Sequence, residues 1–299
     1  MRKVVVGLGE VLWDVYSDQA LFGGAPANFA CHAASLGADA RIASAVGKDD
    51  LGTKALKWLE DHSLLRDWVG VDPDHPTGSV QVSLDTKGTP QYHFASNVAW
   101  DFLELNDHWQ QLAQSCDAVC FGTLAQRSPK SSRAILDFLD RTAPEALRVF
   151  DVNLRQEFYS AQITEESMQR ANVVKLNHEE LPIVSQLLGV EIGGQIEQCQ
   201  QLIDRFGLLA LALTRGDQGS AVYFQGQWDQ QPALDVQAID TVGAGDAFSA
   251  VLIMGILSGR PLSEIHSKAA RIAAYVCTQR GAVVPLPAGI ESGTARAVR

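Results

Sequence analysis

The chain alternates between two hydrophobic patterns. Short runs of β-branched and other apolar residues are typical of buried strands, and longer segments with apolar residues three or four positions apart are typical of helices that cover a sheet. The predicted strands are Val4–Gly7, Ala40–Ala45, Ala118–Phe121, Arg148–Asp151, Val173–Leu176 and Leu208–Thr214. The predicted helices are Asn28–Leu36, Thr53–His62, Ser131–Thr142, Glu197–Phe206, Ala247–Leu257 and Leu262–Arg280. This alternation predicts a mostly parallel sheet with helices on both faces, which binds ligands at the carboxyl ends of its strands.

Two segments interrupt the alternation. Glu10–Val15 and Gly78–Ala95 have strand-like patterns with no helix between them, and Asp85–Pro90 has the turn residues of a hairpin. We expect these strands to form a small separate sheet, a lid that covers a site on the main sheet. A second hairpin, Ser220–Phe224 with Gln227–Gln231, is expected at the edge of the main sheet.

Composition and charge narrow the class of protein. The 299 residues are 46% hydrophobic, enough for a sizeable core, and the net charge of -11 argues against a nucleic-acid partner. No apolar run approaches the ~20 residues that cross a bilayer, so no membrane partner is expected. The segment Met1–Gly7 fits a buried first strand better than a signal peptide. The five cysteines are scattered without a Cys-x-x-Cys pair, which favours a reducing, cytoplasmic location.

The richest chemical signal lies in Asp240–Ala250. Gly243, Ala244 and Gly245 are small residues that lead directly into an apolar helix, so free backbone N–H groups and the positive end of the helix dipole form an anion site there. Asp246 lies at the same entry. It can act as a base beside the anion site, or it can simply stabilise the first turn of the helix.

This segment resembles the C-terminal signature of the ribokinase-like, or PfkB, family of carbohydrate kinases. The residue Val251 departs from the small Ala or Gly that is usual in the family. The resemblance implies ATP-dependent phosphoryl transfer, with Asp246 as base and Gly243–Gly245 as the anion hole. It also implies a three-layer α/β/α sandwich with a small β-sheet lid. We assign residues 1–9, 25–76 and 102–299 to the main domain, and 10–24 and 77–101 to the lid.

A second glycine motif, Gly23-Gly24-Ala25-Pro26-Ala27-Asn28, is similar to the N-terminal signature of the same family. Paired glycines allow a polyhydroxylated ligand to approach the backbone, and the Asn28 carboxamide offers a donor and an acceptor to sugar hydroxyls. On its own the motif would be a turn with an Asn helix cap. By resemblance, Gly23, Gly24 and Asn28 bind the sugar together with Asp14 on the first lid strand; an ordinary exposed strand carboxylate is the alternative for Asp14.

Two further motifs follow predicted strands. Asp151-Val152-Asn153-Leu154-Arg155 matches the family pattern Asp-x-Asn-x-Arg, which gives Asn153 and Arg155 a role near the sugar and the phosphates; a solvated strand-end turn is the alternative. Asn177 and Glu180 match Asn-x-x-Glu, which in the family organises hydrated Mg²⁺, an ion that keeps its waters readily. The alternative is that these acidic residues only stabilise the first turn of a helix. That alternative suits Glu179, whereas we expect Glu180 to be functional.

The nucleotide site is predicted from a loop and a helix. Thr214-Arg215-Gly216-Asp217-Gln218-Gly219 resembles the Thr-x-Gly-x-x-Gly nucleotide loop of the family, so Thr214, Gly216 and Gly219 are expected to contact ATP, with Asn177 and the anion-hole glycines. Small residues of 269–274 suit a flat adenine ring, and Thr278 closes that element; plain helix packing is the alternative. Some relatives bind a monovalent cation such as K⁺, for which Asp240 and the Val242 carbonyl would serve.

The sequence specifies the identity of the acceptor sugar less closely than it specifies phosphoryl transfer. The segment from Gly9 to Asn28 looks most like fructokinases, but the lid stretch around Tyr92, taken as a sugar contact, lacks the arginine that many fructokinases and 2-keto-3-deoxygluconate kinases carry. This loss argues against a sugar acid, which is best held by a guanidinium. The segments expected to bind the substrate, Asp14–Asn28 and Gly78–Asp101, contain only one Lys or Arg, Lys87 in the turn. So little positive charge disfavours a phosphosugar substrate. The alternatives are a kinase of this family with ribose, 2-keto-3-deoxygluconate or a nucleoside as acceptor, or a non-catalytic sugar sensor on this fold. The exposed lid strands favour a homodimer.

Overall fold

The computed structural model describes residues 2–62, 64–84, 90–191 and 193–286. The strands are β1 (Val4–Leu8), β2 (Leu12–Val15), β3 (Ala20–Gly23), β4 (Asp39–Gly47), β5 (Val69–Asp72), β6 (Gly78–Leu84), β7 (Pro90–Phe94), β8 (Ala118–Phe121), β9 (Leu147–Asp151), β10 (Val173–Asn177), β11 (Ala210–Thr214), β12 (Ser220–Phe224) and β13 (Gln227–Gln231). The helices are α1 (Ala25–Ser35), α2 (Asp50–Asp61), α3 (Asp107–Ser115), α4 (Pro129–Leu139), α5 (Ala161–Arg170), α6 (Glu180–Leu188), α7 (Gln195–Phe206), α8 (Ala244–Leu257) and α9 (Leu262–Cys277).

The main sheet has the strand order β13-β12-β11-β10-β9-β8-β1-β4-β5, and every pair is parallel except those made by the hairpin strands β12 and β13. Helices α3 to α7 pack in succession on one face, while α1, α8 and α9 pack together on the other. The predicted three-layer α/β/α sandwich with a mostly parallel sheet is therefore confirmed, and the predicted hairpin lies at the sheet edge.

Parallel pairing gathers polar residues at one edge of this sheet. β10 and β11 are in register with Asn177 opposite Thr214, and β9 and β10 are in register with Asp151 opposite Lys175. The strands are buried almost throughout, so their polar residues can reach solvent only at the strand ends. The carboxyl edge of the sheet is therefore where a site can form.

The small sheet has the order β3-β2-β6-β7, with β2 parallel to β6 and the other two pairs antiparallel. Aromatic residues attach it to α2 of the main body. The Trp13 indole N–H donates to the Leu51 carbonyl (3.0 Å), and the rings of Phe22 and Trp58 stack with centroids 4.0 Å apart. All four strands fall within the segments assigned to the lid, although β3 was not predicted as a strand; of the predicted turn Asp85–Pro90, residues 85–89 lie outside the described residues. The division into two domains stays a prediction.

Among the described residues, the structure has three helices (α3, α5 and α6) and two strands (β3 and β5) that the sequence pattern did not predict. α3 and α5 are mostly polar with only three buried side chains each, α6 contains Pro182 within its first turn, and β5 is half-exposed. A weak amphipathic pattern, or a proline near the start of a helix, makes such elements difficult to predict from the sequence. Within the described ranges, no helix is both long enough and apolar enough to cross a membrane. All five cysteines are free thiols.

Candidate active site

A cavity of about 980 Å³ opens between the small sheet, the carboxyl edge of the main sheet and the starts of α1 and α8. Most of the predicted site residues line it. They are Asp14, Gly24, Asn28, Tyr92, Asn153, Arg155, Asn177, Thr214, Gly216, Gly219, Val242, Gly243, Ala244, Gly245 and Asp246. The other four predicted residues, Gly23, Glu180, Asp240 and Thr278, do not line the cavity wall. The sequence motifs, far apart along the chain, therefore meet in one place.

The start of α8 is shaped by Gly243. Its φ of +81° is left-handed, and a Cβ there would lie 2.3 Å from the carbonyl oxygen of Ala282, so only glycine fits. The first intrahelical bond runs from the Ala247 N–H to the Gly243 carbonyl (2.9 Å). The N–H groups of Gly245 and Asp246 precede that bond and belong to the positive helix end, so this geometry suits an anion, and the anion site stays a prediction.

Asp246 lies in the first turn of α8, partly buried at the bottom of the cavity. Its Oδ2 accepts a hydrogen bond from the Asn28 carboxamide nitrogen (2.9 Å), which fixes the carboxylate toward α1. Loss of hydration, assisted by the nearby Asp151 charge, raises the pKa of Asp246 to about 6, while Lys175 and Asn28 oppose that rise. At neutral pH the group is therefore an ionised carboxylate whose proton affinity exceeds that of an ordinary Asp, as a general base requires.

Lys175 is a site residue that the sequence motifs missed. Its Nζ donates to Asp151 Oδ1 (3.0 Å), both side chains are buried, and Asp151 Oδ2 accepts from the Ser249 hydroxyl (3.1 Å). A Cβ on Gly245 would lie 2.8 Å from this Nζ, so the ammonium sits directly against the glycine loop. A lone lysine within the apolar strand β10 was the available signal, because such a residue must have a buried partner.

The ammonium is held in its charged form. Burial disfavours the charge, but the carboxylates of Asp151, Glu180 and Asp246 outweigh burial and raise the pKa of Lys175. A permanent cation therefore lies beneath the predicted anion site, where it can stabilise negative charge in a region of low dielectric.

One half of the cavity, which we call the acceptor half, is lined by Glu10, Asp14, Asn28, Tyr92 and Arg155. Glu10 was also missed; its signal was an acid placed just after strand β1. Its Oε1 accepts the N–H of Ala25 at the start of α1 (3.3 Å). Burial raises the pKa of Glu10 to about 7 and that of Asp14 to about 6.

Two polar atoms of the acceptor half lack partners among the described residues: Glu10 Oε2 and Asn28 Oδ1. Both are buried acceptors, and an unsatisfied buried acceptor is costly until a donor arrives. The acceptor half is therefore suited to a ligand rich in hydroxyl groups.

The loop after β9 joins the two sheets. Asn153 has a left-handed φ of +40°, Arg155 is exposed toward the cavity, and the Gln156 carboxamide donates to the Tyr92 carbonyl (2.6 Å). Arg155 makes no ion pair within the described residues, yet its charge lowers the pKa of Asp14, Glu10 and Asp246. This guanidinium is therefore available to a ligand.

The predicted magnesium residues have precise local roles. The Glu180 carboxylate accepts from the N–H groups of Leu154 (3.0 Å) and Asn177 (2.8 Å), and Asn177 Oδ1 accepts from the N–H groups of Glu179 and Glu180. No cluster of three acidic, His or Cys side chains suited to direct metal binding exists in the described ranges. Each oxygen of the Glu180 carboxylate retains a lone pair that could accept from a water of a hydrated Mg²⁺ ion. Glu180 is buried and does not line the cavity, so such an ion could meet it only through water, and the Mg²⁺ site stays a prediction.

The other half of the cavity, which we call the nucleotide half, lies between the Thr214–Gly219 loop and helix α9. Ala270, Ala273 and Ala274 of α9 line it, together with Cys277. Thr278 instead donates its hydroxyl to the Tyr275 carbonyl (2.7 Å) at the helix end. The small-residue surface predicted for adenine thus faces the cavity, and Cys277, one residue before Thr278, was not predicted.

Asp240 stabilises the loop before α8 through hydrogen bonds to backbone N–H groups. Its two carboxylate oxygens accept the N–H groups of Val242 (3.0 Å) and Gly281 (3.0 Å). A monovalent cation at this position would share the carboxylate with those two donors, and the K⁺ site stays a prediction.

Comparison with known proteins agrees with this geometry. The sequence profile of the pfkB family of carbohydrate kinases matches residues 9–289. The chain is 29% identical to the uncharacterized sugar kinase PH1459 of Pyrococcus horikoshii (93% of this chain, 91% of the relative) and 30% identical to a fructokinase of Klebsiella pneumoniae (89% and 88%). An ATP-dependent 6-phosphofructokinase of Thermoanaerobacterium thermosaccharolyticum is 25% identical (95% and 90%). The crystal structure of PH1459 in complex with ATP superposes with a TM-score of 0.81 over 94% of both chains at 27% identity.

Proposed function

The chain belongs to the pfkB family of carbohydrate kinases, and we propose that it transfers the γ-phosphate of ATP to a primary hydroxyl of a free sugar, with fructose as the acceptor. The observation that carries this proposal is the position of Asp246. Its carboxylate lies where the acceptor half meets the first-turn N–H groups of α8. A base at that boundary can accept the hydroxyl proton while the N–H groups receive the charge of the transferring group.

The proposed reaction is an in-line displacement. The hydroxyl oxygen attacks the γ-phosphorus, the bond from that phosphorus to the bridging oxygen breaks, ADP leaves, and the proton passes to Asp246 Oδ. Lys175 and the Gly245 N–H stabilise charge on the transferring oxygens. Bound Mg²⁺, held through water by Glu180, would neutralise charge on the ATP phosphates.

The charges of the acceptor half favour a neutral sugar. Glu10, Asp14 and Asp246 contribute three carboxyl groups, against which only Arg155 is an unpaired cation among the described lining residues. A sugar acid or a phosphosugar would bring further negative charge into this region at low dielectric. The fructokinase relative supports fructose in particular, and the intact Asp246 and Glu180 weigh against a non-catalytic sensor.

The test is a coupled ADP-release assay with MgATP and a panel of D-fructose, D-ribose, adenosine, 2-keto-3-deoxygluconate and fructose 6-phosphate. We expect fructose to have the highest kcat/KM and the two anionic sugars the lowest. A higher kcat/KM for another neutral acceptor would contradict fructose as the acceptor but would support the proposed kinase activity. No ADP release with any acceptor would contradict the proposed activity.

Asp14→Asn tests the acceptor half alone. Since hydrogen bonds to charged groups contribute about 1.5–3 kcal/mol, we expect the fructose KM of this variant to rise about 10- to 100-fold while the ATP KM stays unchanged. Asp18→Asn, an exposed acid in the turn between β2 and β3, is the matched control and should behave as wild type. A rise in the ATP KM with an unchanged fructose KM would contradict the assignment of Asp14 to the sugar site.

Three further properties remain predictions: a cytoplasmic location, K⁺ activation and a homodimer formed through the lid. Replacing K⁺ by Na⁺ in the assay tests the second. Light scattering of wild type and of Tyr92→Asp, which places a charge on the half-exposed face of the edge strand β7, tests the third.

A further inference from the structure

A hydrogen-bonded chain outside the catalytic machinery joins three elements beside the nucleotide half. The Ser220 hydroxyl lies 2.7 Å from His266 Nε2, and His266 Nδ1 lies 2.6 Å from Asp229 Oδ2. These residues belong to β12, α9 and β13, and His266 is completely buried. The sequence pattern placed them in the predicted hairpin and the last predicted helix, but none of the site motifs includes them.

The direction of both bonds follows from their chemistry. A carboxylate only accepts, so Nδ1–H donates to Asp229, and in the neutral imidazole Nε2 accepts from the Ser220 O–H. Burial lowers the pKa of His266, and the Arg215 charge lowers it further against the opposing effect of Asp229, so the ring is neutral at pH 7.

The order Ser–His–Asp is that of a hydrolase triad, but the setting differs. Ser220 is only 5% exposed and lies within the β12–β11 ladder opposite Thr214, rather than on a sharp exposed turn. The hydroxyl is therefore a structural donor and not a nucleophile.

The chain connects the two walls of the nucleotide half. On one wall, Thr214 and Ser220 are paired residues that close the base of the nucleotide loop. On the other, Ala270, Ala273 and Ala274 of α9 line the cavity one to two turns beyond His266. Breaking the chain would free these walls to shift relative to each other.

We propose that His266 is a positioning residue for the nucleotide: by joining the loop base to α9 through Ser220 and Asp229, it sets the width of the slot that receives ATP. The proposal rests on the proposed function, since it assigns ATP to this half of the cavity. Its consequence is selective, because the acceptor half is built from α1 and the small sheet and does not contact this chain.

The test compares His266→Leu, which removes both bonds, with His266→Gln, whose carboxamide can donate to one partner and accept from the other. We expect His266→Leu to raise the ATP KM and the MgATP dissociation constant from calorimetry by about tenfold, leaving kcat at saturating ATP and the fructose KM within about twofold. His266→Gln should recover most of the affinity. Ser220→Ala, a smaller change that breaks one bond, should give an intermediate loss even if the leucine variant folds poorly.

Trp228→Phe is the matched control. It removes the bond from the Trp228 indole N–H to Gln200 (3.1 Å), which ties the same hairpin to α7 instead of α9. Wild-type ATP affinity in folded His266→Leu, or an equal loss for ATP and fructose, would overturn the proposal. Wild type that binds MgATP but phosphorylates no sugar would overturn only the kinase activity, whereas wild type that does not bind MgATP would overturn both.

Discussion

Asp246→Asn is expected to lower kcat by about 10² to 10⁴, the usual contribution of a general base, while MgATP and fructose still bind. Asparagine keeps the shape and can still accept the hydrogen bond from Asn28, but it cannot take the hydroxyl proton. Single-turnover phosphorylation and calorimetry of the same preparation separate the chemical step from binding.

The pH dependence of kcat gives a second measure of the same residue. The base acts only when ionised, and the pKa of Asp246 is raised to about 6, so the wild-type kcat should fall as the pH decreases through about 6. The residual activity of Asp246→Asn should lack this decline.

Stability should move in the opposite direction to activity. A carboxyl whose folded pKa is raised stabilises the protein below its unfolded pKa, and that contribution is lost as the pH rises through about 6. Asp246→Asn should therefore have a Tm equal to or above that of wild type at pH 8. Asp50→Asn, an exposed first-turn acid of α2, is the control. Near-wild-type turnover in folded Asp246→Asn would exclude Asp246 as the base.

Asp246 could be predicted from the sequence, whereas Lys175 and Glu10, which line the same cavity, could not. A glycine loop that opens a helix is a local feature, and so are strand-end motifs such as Asn177 with Glu180. The parallel sheet then brings these motifs together with no further information needed. The predicted strands, the two hairpins and the glycine-led start of α8 followed from such local patterns.

The missed residues depend on pairing across the fold. Lys175 acquires its role from Asp151, 24 positions away, and from the space left by Gly245. Glu10 reaches the start of α1, and His266 joins two strands that come earlier in the chain. A single sequence contains each residue but not the distance between them, so only the folded chain shows these pairs.

Lys175→Met is the second change with a large expected effect. It removes the cation beneath the glycine loop, and loss of one such preorganised group typically lowers kcat by about 10² to 10³. The same change leaves the Asp151 carboxylate buried without its partner, although the Ser249 hydroxyl still donates to it. Breaking a buried pair in this way costs about 3–5 kcal/mol of stability.

The double variant Lys175→Met with Asp151→Asn separates the two effects. It removes both charges, so the free energy of unfolding from denaturant titration should return toward wild type, because no unpaired buried charge remains. The value of kcat should stay low, because the ammonium is still absent from the anion site. If kcat recovered together with stability, Lys175 would act only by holding the core together; if kcat stayed low in the stable double variant, the charge itself would stabilise the transferring phosphoryl group.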